Sequence, residues 1–149
     1  MPFKHTKAPT HSIGKMSLLS AFTTNLVQFF EELSDTVPEE KSIKMATEAI
    51  KGAKKINPKL LLDLFYEHIY RDLKVPILER NLEAINTYGR IKIQGQFNEI
   101  MPAIAIFDKH WPSLSSGTQD AIWKYMKVLV VLCERLKEPS AGGGAINSA

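Results

Sequence analysis

From Ser17 onward the apolar positions return at helical spacing. In SLLSAFTTNLVQFFEELSDTV, Leu18, Phe22, Leu26, Phe29 and Leu33 step by four, four, three and four. That spacing predicts one face of an amphipathic helix, with Ser17 as its N-cap. Pro38 restarts the chain, and Glu39 and Glu40 are expected in a first turn, where the helix dipole favours acids. Ile43, Ala46, Ile50 and Ala53 continue a second helix on a slimmer apolar face. Asn57 as cap and Pro58 at the first helical position predict a third helix, in which Leu61, Leu64, Phe65 and His68 face inward. Asp63, Glu67 and Arg71 climb its outer side at i, i+4 spacing. Val75–Pro76 is expected to break this element, with a further short helix from Ile77 to Ile85.

The stretch NTYGRIKIQGQ, residues 86–96, is bracketed by Gly89 and Gly95. RIKIQ alternates like a strand, but a lone strand has no partner elsewhere, so a loop is expected. Phe97, Ile100, Met101, Ile104, Phe107 and Trp111 resume helical spacing, with Pro102 kinking that helix or sitting in its first turn. SGTQ offers a capping box from Ser116 to Gln119. Ile122, Met126, Leu129, Cys133 and Leu136 form the face of the last helix, Trp123 and Val130 widen it, and Pro139 stops it.

These elements predict an all-α fold: a compact bundle of five or six helices over residues 17–138. Residues 1–16 form an extended basic arm, and residues 139–149 a Gly-rich tail that is flexible or ordered by a partner. A chain of 149 residues can bury a real core without staples. Cys133 is the single cysteine, so no internal disulfide forms and a reducing compartment is expected. No apolar run approaches the roughly 18 residues of a membrane span, and the N-terminus lacks the apolar core of a secretory signal. The net charge of +3 resides in the arm, where Lys4, Lys7 and Lys15 stand without an acid. The remaining sixteen basic residues balance sixteen acids, which separates a neutral body from a basic arm.

Motifs for chemistry are missing. There is no CxxC and no HExxH; His68 and His110 fall on separate helices, and His5 and His11 in the arm. Glu67 and His68 are adjacent, so on a helix they point about 100° apart, a poor pair of ligands. Cys133 sits on an apolar face where a thiol is normally inert. No GxSxG occurs, and AGGGA lacks the Lys-Ser/Thr of a phosphate-binding loop. No enzyme, cofactor or metal site is therefore expected. Lys51, Lys54, Lys55 and Lys59 could contact phosphates, although the same cluster suits a helix C-terminus. Adjacent aromatic pairs cannot both point fully inward, which nominates Phe30 and Tyr66 for a partner-facing surface. In the arm, Phe3, Lys4, Lys7, Ile13 and Lys15 are the candidate contacts.

The order LLSAFTTNLVQFFEELSDTVPEEKSI, INPKLLLDLFYEHI and HWPSLSSGTQDAIWKYMKVLVVLCERL resembles a group of small all-helical proteins of nucleocytoplasmic large DNA viruses. The chlorella-virus-like and mimivirus-like branches are the comparison. The resemblance runs from Leu18 to Leu136, with IWKYMKVLVVL its most specific part, and it carries no catalytic residues. It implies a non-enzymatic minor capsid or virion component, found in the virion and, during assembly, in the host cytoplasm. Its partners would be capsid or other virion proteins. The alternative is a soluble virus-encoded regulator that binds nucleic acid or a host protein. On the first reading the arm is a strap that orders on a neighbour; sixteen extended residues reach about 50 Å.

Overall fold

The structure, a computed structural model, describes residues 17–95 and 106–138. The arm, the tail, the stretch from Phe97 through Pro102 to Ile104, and the side chain of Phe107 lie outside the described residues. Helix α1 (Leu18–Thr36) begins where the spacing places it, with Ser17 Oγ accepting the Ser20 N–H at 3.0 Å. After it come α2 (Lys41–Ile56), α3 (Pro58–Phe65), a π turn (Tyr66–Tyr70), α4 (Arg71–Leu78) and α5 (Leu82–Gly95). A second π turn (Ile106–His110) and a 3-10 turn (Trp111–Ser113) lead into α6 (Ser116–Lys137). Among the described residues there is no strand, and the all-α bundle is as expected.

Helix α1 is central, packed by α2, α3 and α6. This position overturns the expectation for Phe30. A helix with neighbours on several sides has no solvent face to spare at that level, so Phe29 and Phe30 are both buried, their rings 6.0 Å apart edge to face. Phe29 also stacks on Tyr125 of α6 at 5.3 Å, and Phe22 meets Phe65 of α3 at 5.3 Å. Helix α6 is the second pillar, burying Ile122, Trp123, Tyr125, Met126, Leu129, Val130, Leu132 and Cys133. Polar residues inside α1 and α2 are accommodated by bonding back along the chain: Asn25 Nδ2 donates to the Ala21 carbonyl at 2.8 Å, and Thr47 Oγ1 to Ile43 at 2.7 Å.

Several local expectations are corrected. Helix α2 starts after Glu39 and Glu40, so neither acid occupies its first turn. Pro58 does open α3, but the Asn57 side chain makes no capping bond. Within α3, Leu61, Leu62 and Phe65 are buried while Leu64 is only partly so. Val75–Pro76 does not break the helix: Pro76 lies inside α4, in its last turn, and forfeits its own N–H bond there.

The stop comes at Leu78. The Asn81 N–H bonds the Pro76 carbonyl at 2.8 Å and the Arg80 N–H bonds Ile77 at 3.1 Å, with Arg80 in the left-handed region at φ 54°. That pairing is a Schellman stop. Asn81 then caps α5, its Oδ1 accepting the Ala84 N–H at 3.1 Å. The helix so nucleated runs through Gly89 to Gly95, so most of the expected loop over residues 86–96 is helical. Tyr88 on α5 donates its hydroxyl to the His68 carbonyl inside the first π turn, tying α5 to the preceding helix.

Candidate interaction surface

Helix α2 is apolar on two sides. Ile43, Ala46 and Ile50 are buried inward. On the other side Met45, Ala49, Gly52 and Ile56, spaced by four, three and four, are all exposed. Met45 is 72% and Ile56 86% exposed, and a Cβ added at Gly52 would meet nothing within 4 Å. The single residue Asn57 joins α2 to α3, where Leu60 is 43% exposed. Three large apolar side chains thus face outward along one helix and the corner that follows it. Sequence reasoning missed this strip because it sought one inward face; the 4-3-4 spacing of Met45, Ala49, Gly52 and Ile56 was the available signal.

The four lysines expected as phosphate contacts are divided. Lys51 Nζ lies 3.4 Å from Glu31 on α1 and 3.8 Å from Glu48. Lys51 and Lys54 line a groove of about 670 Å³ between α1 and α2, together with Lys44, Glu31, Asp35 and Glu48. Its charges are mixed, and the Lys51–Glu31 pair spans it. Lys55 and Lys59 are instead exposed at the corner beside Ile56 and Leu60.

Tyr66 is half-buried, with its hydroxyl turned toward the end of α6. Its hydroxyl donates to Glu138 at 2.9 Å, and its ring stacks on Tyr70 at 5.4 Å. Tyr70 donates to Glu134 at 3.0 Å, Lys74 reaches the same carboxylate at 2.7 Å, and Lys137 pairs with Asp63 at 2.8 Å. The π turn brings Tyr66 and Tyr70 to α6, forming a polar seam around the buried end of the helix pair. Burial and the Glu134 hydrogen bond push the Tyr70 hydroxyl up to about 12. The Lys74 ammonium holds the Glu134 carboxyl below its usual range. Asp63 therefore leaves the expected outer ladder, while Glu67 and Arg71 remain on it at 3.0 Å.

His110 closes the second π turn with its side chain on the acids that precede α2. Its Nε2 lies 2.7 Å from Glu40 Oε2, and Lys109 Nζ is 2.8 Å from the same oxygen. Lys109 first and His110 second hold the Glu40 carboxyl below its ordinary value. Glu39 lies 3.8 Å from His110 Nδ1, completing a clamp between the start of α2 and the second π turn. Cys133 is fully buried, and desolvation pushes its thiol up to about 12. Among the described residues no group of three or more His, Cys, Asp or Glu side chains could hold a metal ion. No helix among them is long and apolar enough to cross a membrane. Phe3, Lys4, Lys7, Ile13 and Lys15 lie outside the described residues. No protein-family model, curated protein or solved structure matches the chain.

Proposed function

We propose that this chain is a non-enzymatic protein that acts by binding neighbouring macromolecules through its helical body and its terminal arms. The observation that carries this reading is the contrast between its inner and outer groups. Cys133 is sealed in the core, His110 is held by Glu40, and Tyr66 and Tyr70 are committed to α6. The large apolar residues Met45 and Ile56, by contrast, face outward. With these reactive groups spent on internal packing, the large apolar side chains left in water are the groups available for contact. The particle setting, a minor capsid or virion component with capsid proteins as partners, rests on the sequence resemblance. In that setting the arm places Phe3 and Ile13 in apolar pockets of a neighbour and Lys4, Lys7 and Lys15 against its acids. Quantitative mass spectrometry of gradient-purified particles tests it: the chain should co-purify with the major structural proteins, and its absence from the particles overturns the setting.

The second reading, a soluble regulator binding nucleic acid or a host protein, is favoured by the exposure of Lys55 and Lys59 at the α2–α3 corner. Salt-sensitive retention on duplex or single-stranded oligonucleotides, lost on reversing these two charges, would establish it over the first.

A further inference from the structure

We infer that the outward strip of α2 and the α2–α3 corner form a docking surface for an anionic lipid bilayer. The inference stands independently of the particle setting, since it uses only this face of the body. Met45 and Ile56 are eleven residues apart, which on a helix places them about 20° apart around the axis and about 16 Å apart along it. Between them stand Ala49 and Gly52, too small to hold the helix off a surface. Leu60 extends the apolar points past the corner. A helix with such a strip can lie in the plane of a bilayer, sinking Met45 and Ile56 about 5–10 Å into the boundary between headgroups and acyl chains.

Charge selects the kind of surface. From Lys41 to Leu62 there are six lysines and one acid, Glu48, so this segment carries an excess of positive charge although the body as a whole is neutral. Lys51 is turned toward Glu31 and Glu48 and drops out of the count. Lys44 and Lys54 line the groove toward α1, where Glu31 and Asp35 offset them. Lys41, Lys55 and Lys59 are exposed and border the strip and its corner. Their stems can lie along the apolar boundary while the ammonium groups reach lipid phosphates and carboxylates.

Other occupants fit less of what is observed. A nucleic acid would use the lysines but leave Met45 and Ile56 in water, and residues 41–62 hold no aromatic side chain on which a base could stack. A second copy of the same face would bring like charges together. A bilayer uses the charges and the exposed apolar groups at once.

The test uses the full chain with Ile56→Cys, and in a second preparation Met45→Cys, carrying an environment-sensitive fluorophore. Cys133 is fully buried, so label on the folded protein goes to the introduced thiol. Vesicles of phosphatidylcholine alone and of phosphatidylcholine with phosphatidylserine are added, and partitioning is measured by flotation. The expected result is a blue shift at both positions with the anionic vesicles only. Reversing Lys55 and Lys59 to Glu should lower the partition coefficient by about tenfold or more, since each lysine near an anionic surface contributes about a fivefold factor. Ile56→Asp should lower it comparably with an unchanged circular-dichroism melt. Soluble phosphoserine should fail to compete. No shift with anionic vesicles would overturn the inference, as would vesicle binding indifferent to all these substitutions. Equal binding of the free headgroup, or a shift produced only by oligonucleotides or an acidic amphipathic peptide, would also overturn it and assign the face to that partner.

Discussion

Arg80 is the non-glycine residue with a positive φ among those described, at 54°, and it sits where a Schellman stop ordinarily places glycine. Its guanidinium reaches Asp120 on α6 at 2.9 Å, an exposed pair that offers little to offset the backbone cost. Replacing it with Ala and with Gly loses that ion pair in both variants, so their difference isolates the backbone term. Arg80→Gly should be about 1 kcal/mol more stable than Arg80→Ala in urea unfolding; equal stabilities would show that the turn relaxes away from the left-handed conformation. Leu129, 1% exposed on the core face of α6, should cost about 2–5 kcal/mol as Leu129→Ala. Glu40 provides the pH dependence at this scale. Lys109 and His110 lower its folded pKa below the unfolded value, so its contribution is complete above the ordinary carboxylate range and is lost as pH falls through the folded value. Glu40→Gln should therefore flatten the fall in melting temperature as pH drops below the ordinary glutamate value of about 4.3. An acid limb as steep as that of the parent would place the titration elsewhere. Leu129 was legible in the sequence because helical spacing alone puts it with Ile122 and Cys133. Glu40 was not, since its partners are seventy residues away on a turn whose path no local pattern encodes.

Elements were legible where caps and periodicity agreed, and less so where two neighbouring residues could play one role. SSGTQ contains two serines, and the pattern points to Ser116 with Gln119 closing the box. In the folded chain Ser115 Oγ accepts the Thr118 N–H at 3.1 Å, and the Gln119 amide donates to the Trp111 carbonyl at 2.9 Å. Ser115→Ala should then cost about 1 kcal/mol, while Ser116→Ala, on an exposed first turn, should stay within about 0.5 kcal/mol. Equilibrium denaturation of the two variants decides between them, and the reverse order would restore the capping box. Helix α5 shows a different failure. RIKIQ alternates with strand period, and Gly89 and Gly95 weaken a helix, so the segment's own propensity pointed away from the helix it forms. What wins is context: Asn81 caps the N-terminal end, and Tyr88 anchors the first turns to the His68 carbonyl. The signal that could have found it was Asn81 placed before Leu82, Glu83 and Ala84, a start overlooked because Pro76 drew the boundary earlier.

At the scale of the whole molecule, the all-α bundle followed from the pattern of apolar positions, and the location of the exposed apolar groups did not. Adjacent aromatics in the sequence point to an outward face, yet a helix enclosed by α2, α3 and α6 buries both Phe29 and Phe30. The most exposed of the large apolar groups, Met45 and Ile56, lie instead on α2, whose packing against α1 and α3 leaves the opposite side uncovered among the described residues. This division of labour bears on the basic arm. Helix α1 starts at Ser17, which caps it with its own hydroxyl and accepts the Ala21 N–H at 2.9 Å through its carbonyl. The first helix of the body therefore carries its own start signal and needs nothing before Ser17 to nucleate. The arm, with its excess of positive charge and with Pro2 and Pro9 opposing helix formation, offers no core-facing periodicity to the body. Ordering it costs roughly 1–2 kcal/mol per residue of backbone, so a neighbour that supplies acids alone would not hold it, and the proposed strap has Phe3 and Ile13 buried there as well. A chain beginning at Met16 should melt within about 2 °C of the full chain, which corresponds to less than about 0.5 kcal/mol for a domain of this size. In the proposed particle setting, the same chain should fail to enter assembled particles. Normal incorporation would refute the strap, and a fall of more than about 5 °C would show that the arm belongs to the body's own fold.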